Sequence, residues 1–147
     1  MGMPWGYGPK QFQIEGGQDE IVRLDVPHRG TIRAINLNEL GGASAGIFEI
    51  YDSQAAAAVL GGAGSSSSSV SSDQVEGGDP AAHSITAGEV AIAGGQYRAN
   101  NLEIPYINRD GTPTNPVRRL WMRINLEGAG TKTVSLGMTI EPAPLNT

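Results

Sequence analysis

Residues 117–140 read VRRLWMRINLEGAGTKTVSLGMTI, and their apolar positions recur at every second residue. In the first half Leu120, Met122, Ile124 and Leu126 share one face, and Arg119, Trp121 and Arg123 share the other. In the second half Val134, Leu136, Met138 and Ile140 alternate in the same way. A period of two belongs to a half-buried strand, whereas a helix repeats its apolar positions three and four residues apart. Between the runs stand Glu127, Gly128, Ala129 and Gly130, a short glycine-bearing link. The segment therefore predicts two strands joined as a hairpin.

The same period runs outward from there. Gln11-Phe12-Gln13-Ile14-Glu15 alternates strictly, and Val22, Leu24 and Val26 share a face opposite Arg23 and Asp25, until Pro27 stops the ladder. Thr31 to Leu37 alternates but slips between Ala34 and Ile35, the mark of a bulge or a change of face. Ile47 to Tyr51 is a further strand, and more are expected at 83–86, at 89–92 and over 97–107, where Leu102, Ile104 and Tyr106 fall on one face. The alanine run within 54–60 favours one helical turn or a short edge strand. No long helical period occurs. The reading is an all-β antiparallel β-sandwich, jelly-roll-like, with eight or nine short strands.

Two segments stand apart. Residues 1–10 hold two prolines and three glycines and are expected to form an extended N-terminal arm, its Trp5 and Tyr7 either folding back or clasping a neighbouring subunit. Residues 11–147 then form a single β-sandwich domain with a Gly/Ser-rich insertion loop at 61–81, whose composition buries too little surface to offset its ordering entropy. The chain has 147 residues, a length that fits one domain, with no cysteine, which excludes disulfide scaffolds, thiol catalysis and thiolate metal sites. A net charge of −5 argues against a dedicated nucleic-acid binder. No run approaches the roughly 18 apolar residues of a membrane span. The start of the chain lacks the basic and apolar runs of a signal peptide, so synthesis and assembly in a cytoplasm are expected.

A search for chemistry returns little. Gly42-Ala43-Ser44-Ala45-Gly46 matches the G-x-S-x-G pattern, but that elbow needs a strand before the serine and a helix after it, and here a strand follows. The two histidines, His28 and His83, are isolated, and His28 is expected to lie solvated in a turn. Asp73, Glu76 and Asp79 form a loose acidic group without calcium-loop spacing. No cofactor and no catalytic set are expected. Arg119 and Arg123 with Trp121 between them form the basic and aromatic concentration, read as a partner surface. The candidate interface residues are therefore Trp5, Tyr7, Phe12, Arg119, Trp121 and Arg123. A carbohydrate-binding sandwich stacking sugars on Trp121, Tyr97 or Tyr106 is the competing reading.

Two stretches carry a resemblance. GTIRAINLNELGGASAGIFEIYDS, residues 30–53, runs strand, small-residue loop, strand and Tyr-Asp turn. ITAGEVAIAGGQYRANNLEI, residues 85–104, runs turn, short strand, Gly-Gly turn and strand. In cadence and composition over about residues 20–126 the chain resembles the head decoration (cement) proteins of tailed-phage virions. The resemblance implies a jelly-roll-like domain that binds the major capsid protein on the outer capsid surface, often as a homotrimer, with no catalytic residues. A tail, neck or fibre-base protein is the neighbouring expectation.

Overall fold

The computed structural model describes residues 5–52, 84–108, 112 and 114–143. The ambiguous run at 54–60, the insertion at 61–81 with Asp73, Glu76 and Asp79, His83, and the turn at 110–111 lie outside them. The described strands are β1 (Trp5–Glu15), β2 (Glu20–Asp25), β3 (Arg29–Leu40), β4 (Gly46–Tyr51), β5 (Val90–Ile92), β6 (Gln96–Ala99), β7 (Ile104–Ile107), β8 (Arg119–Leu126) and β9 (Thr131–Pro142). They build two antiparallel sheets, one ordered β1-β9-β3-β6 with β7 also on β3, the other β2-β8-β4-β5. The protein is an all-β sandwich, as the alternation requires.

The inner faces supply the core. Leu120, Met122, Ile124 and Leu126 of β8 meet Val134, Leu136, Met138 and Ile140 of β9, with Ile32, Ile35 and Leu37 of β3 and Phe48 and Ile50 of β4. Phe48 and Tyr97 pack edge to face at 5.1 Å, which ties β4 to β6 across the layers. Leu136 is fully buried in the central strand of its sheet, and truncating it to alanine would cost about 2–5 kcal/mol.

The link at 127–130 is not a hairpin. β8 pairs with β2 and β4, β9 pairs with β1 and β3, and the chain crosses from one sheet to the other. Alternation demands a buried face for each run but is silent on whether two such faces lie side by side or face to face. What selects the crossing is the second link, Gly16-Gly17, stacked on the first. Gly16 N donates to Gly130 O at 2.8 Å and Gly17 N to Leu126 O at 2.7 Å. A Cβ at Gly16 would overlap the Gly128 carbonyl oxygen, so only glycine lets the two arches touch.

The result is nested pairing. β1 with β9 lies in the first sheet, β2 with β8 in the second, β3 with β7 and β6 in the first, and β4 with β5 in the second. The slip expected near Ala34 is a bulge at Arg33, where Ile32 faces Ile140 and Ala34 faces Thr139. That bulge also divides the expected strand over 97–107 into β6 and β7. Leu102 N donates to Arg33 O at 3.0 Å in the gap between them. The strand expected at 83–86 is reduced to a single bridge between Ser84 and Tyr51.

Residues 5–10 are not an arm. Trp5, Gly6 and Tyr7 pair with Ile140, Thr139 and Met138, and pairing resumes at Lys10 opposite Leu136. Proline and glycine interrupt the ladder only across Gly8-Pro9. β1 is an edge strand, where a bulge and a missing N–H are tolerated.

Candidate functional site

The structure separates the expected interface residues. Tyr7 is buried in the core, with Lys10 Nζ 5.2 Å from its ring centroid, and burial first and Asp25 second raise its phenol pKa. Phe12 is half-buried against the same core. Trp121 is 8% exposed. Arg119 is half-buried on the same outward face of β8.

Arg123 is buried as well, and its charge is engaged. Its guanidinium reaches Glu49 at 2.9 Å, Glu89 at 2.9 Å and Asp19 at 3.3 Å, and its side chain is 9% exposed. Glu49 also accepts from the Tyr51 hydroxyl and, at 2.8 Å, from Ser84 Oγ. Asn125 Nδ2 donates to Asp19 at 2.9 Å. Burial alone would raise the Glu49 pKa, but donors from Tyr51, Arg123 and Ser84 outweigh it and hold the carboxyl below 4.5. Burial alone would lower Arg123, and its bonds to Glu89 and Glu49 outweigh that and push it up. Burial and then Glu49 push Tyr51 up. This ion network holds β4, β8 and the segment before β2 together on the outside of the second sheet. It is a structural clamp, and the charge of Arg123 is engaged there rather than offered to a partner.

Trp5 is different. It is 36% exposed, alone among the eight aromatic residues in being classed as exposed. Its ring borders a cleft of about 280 Å³ lined by Asp25, Val26, Pro27 and Arg118. Asp25 is paired with Arg23 at 3.2 Å, an exposed ion pair. The cleft lies where the open edges of β1 and β2 approach at the side of the sandwich. An aromatic and two aliphatic walls with one acid and one base at the rim suit an apolar side chain flanked by polar groups. Arg118 belongs to the basic concentration with Arg119 and Arg123, whereas nothing in the sequence marks Asp25 as a site residue. The signal was available in Pro27, whose strand-ending position opens the gap.

The G-x-S-x-G stretch links β3 to β4 and is not the strand-to-helix elbow of that motif. Lys132 Nζ donates to Ser44 Oγ at 3.1 Å, which puts a serine and a lysine together. The Ser44 N–H donates to Glu39 Oε1 at 2.7 Å. Glu39 Oε2 lies 3.9 Å from Lys132 Nζ. The three groups pin the β3–β4 loop onto β9.

His28 is fully buried, contrary to the solvated turn expected for it. Its Nδ1 lies 3.0 Å from Val117 O, and its carbonyl accepts from Asn108 N at 2.8 Å. The Tyr106 hydroxyl donates to Pro27 O at 2.8 Å. The turn is buried because it is a corner between sheets, and the crossing before β8 packs over it. Tyr106 is buried and Tyr97 packs on Phe48, so neither they nor Trp121 offer a face for a sugar. Among the described residues no group of three or more His, Cys, Asp or Glu is placed to hold a metal ion. Likewise, no helix is long and apolar enough to cross a membrane. Compared with known proteins, the chain matches no family model, no curated protein and no solved structure.

Proposed function

We propose that this chain is a non-enzymatic structural protein of a tailed-phage virion. In this reading it is a decoration protein that binds the major capsid protein on the outside of the head, as a homotrimer, and stabilises the lattice. The observation that carries the reading is Trp5. A large aromatic is left open beside a cleft at the side of the sandwich, while the other aromatic side chains are drawn into the fold. Exposed tryptophan beside a pocket is the kind of anchor that dominates protein–protein contacts. The nested strand pairing, read as a ribbon doubled into a jelly roll, supports the resemblance to decoration proteins. The serine, histidine and arginine groups that would suggest chemistry are engaged in holding the fold.

A partner that binds only the assembled lattice stabilises it by mass action, and many copies add avidity. The test is co-sedimentation with purified heads of the phage that encodes the chain, together with light scattering for the free oligomer. Wild-type protein sediments with heads, and Trp5→Ala sediments at least tenfold more weakly while staying folded. Wild-type protein that stays in the supernatant sinks the proposal. Binding undiminished by Trp5→Ala removes the cleft from it.

A further inference from the structure

Gly137 sits in the middle of β9, the central strand of the first sheet, opposite Asn36. Glycine inside a strand costs about 0.5–1 kcal/mol relative to a residue with a side chain. Usually the backbone demands it, and here it does not. Gly137 is not among the glycines with positive φ. A Cβ built on it would meet nothing closer than Tyr7 O at 3.7 Å, an ordinary contact. Gly137 instead helps to line an open hollow of about 320 Å³, shared with the Gly8-Pro9 bulge of β1 and with Ala34 and Asn36 of β3.

The hollow is lined by Ala34 and Gly137 on its floor and by Pro9, Asn36, Asn100 and Thr139 around it. Pro9 is there because of the bulge in β1, and Ala34 because of the bulge in β3. Asn36 is held in place by Arg98, whose Nε donates to its Oδ1 at 3.2 Å. No acid lines the hollow. The nearby Arg33 is paired with Glu103 at 3.0 Å and Glu141 at 3.3 Å. Around it the outer face carries Gln11, Ser135 and Asn38 in register across three strands, with Arg98 opposite Asn36.

We propose that this hollow binds a neutral saccharide. Its volume is at the small end of ligand sites and suits one ring. Two carboxamides and a threonine hydroxyl offer both donors and acceptors, as sugar hydroxyls require. The Pro9 ring and the Ala34 methyl give the C–H face of a pyranose an apolar bed. No charged side chain lines the hollow itself; the nearest is Arg98, whose guanidinium is bonded to Asn36. A peptide strand docks through main-chain groups at a sheet edge; β1, whose Gly6 to Pro9 also line the hollow, is such an edge, so the peptide is the competitor that the test separates. This site is independent of the Trp5 cleft, and it stands or falls without the virion reading.

The probe is an array of neutral glucan, mannan, galactan and chitin oligosaccharides beside sialylated and sulfated glycans and an extended-peptide set. The best neutral oligosaccharide is then titrated by NMR into wild type, Gly137→Val and Asn100→Ala. Wild type binds neutral oligosaccharides, with shifts at Asn36, Asn100 and Gly137. Gly137→Val weakens binding at least tenfold with an unchanged or higher melting temperature, and Asn100→Ala, at an exposed position, weakens it by a smaller factor. An array on which no neutral glycan binds, binding confined to charged glycans or peptides, or neutral-glycan affinity untouched by both variants would overturn the proposal.

Discussion

Replacing Arg123 by methionine keeps most of the stem's packing and removes the charge at the centre of the network on the second sheet. Glu49 is then left with a 9% exposed side chain and the donors of Tyr51 and Ser84 alone. Removing one partner of a buried ion pair costs about 3–5 kcal/mol, because the other charge is stranded. The two remaining donors place the cost near the lower end, about 3 kcal/mol. Glu89 is 58% exposed, so its share of the pairing is screened and adds at most about 1 kcal/mol. For a domain of this size the loss corresponds to a melting temperature lower by about 6–12 °C. Urea denaturation followed by tryptophan emission, with thermal melts by circular dichroism, measures it. The pH dependence supplies an independent sign. The Glu49 pKa is held below 4.5 in the folded protein, so its stabilisation is complete above that value and fades as pH falls through the folded pKa. The gap between wild type and variant is therefore widest at neutral pH and narrows in acid. A variant within about 1 kcal/mol of wild type at pH 7, with a parallel pH profile, would refute the clamp.

Trp5→Ala should cost about 1–2 kcal/mol, from the covered part of the ring, while leaving the protein folded and weakening partner binding; a loss of about 3–5 kcal/mol, as for a core tryptophan, would make the residue structural instead. His28→Ala should cost about 2–4 kcal/mol, from a buried void and an orphaned Val117 carbonyl, and urea midpoints unchanged by it would contradict the corner lock. Ser44→Ala should cost about 1 kcal/mol and speed amide exchange in the β3–β4 loop; aryl-ester hydrolysis by wild type that Ser44→Ala abolishes would restore the enzyme reading.

The sandwich was legible because period-two alternation in β2, β3, β8 and β9 is a direct print of burial on one face. The bulge in β3 was legible for the same reason, since a slip in the pattern is a slip in the ladder. The crossing at 127–130 was not, because alternation is identical whether two strands are neighbours or face one another across the core. Residues 5–10 depart from the expected arm because glycine and proline content reports local conformational freedom, whereas the open edge of β9 has room for a strand with one bulge. The site was legible only in part. Trp5 is an expected site residue that stays open; Trp121 and Arg123 lie on the outward face of β8 as the alternation implies but are nearly covered there, and Tyr7 takes the folded-back alternative. Charge and aromaticity mark a residue as capable of binding. They do not tell whether Glu49, Glu89 and Asp19, distant in sequence, have already engaged it.

The central claim is that this sandwich sits on a phage head and meets it through the Trp5 cleft. A cryo-electron microscopy map of the particle from the phage that encodes the chain tests it most directly. The expected result is density for this fold on the outer head surface, in threefold clusters, with Trp5, Pro27 and Arg118 against the capsid. Density for the fold on the tail, or none on the particle, would contradict the claim.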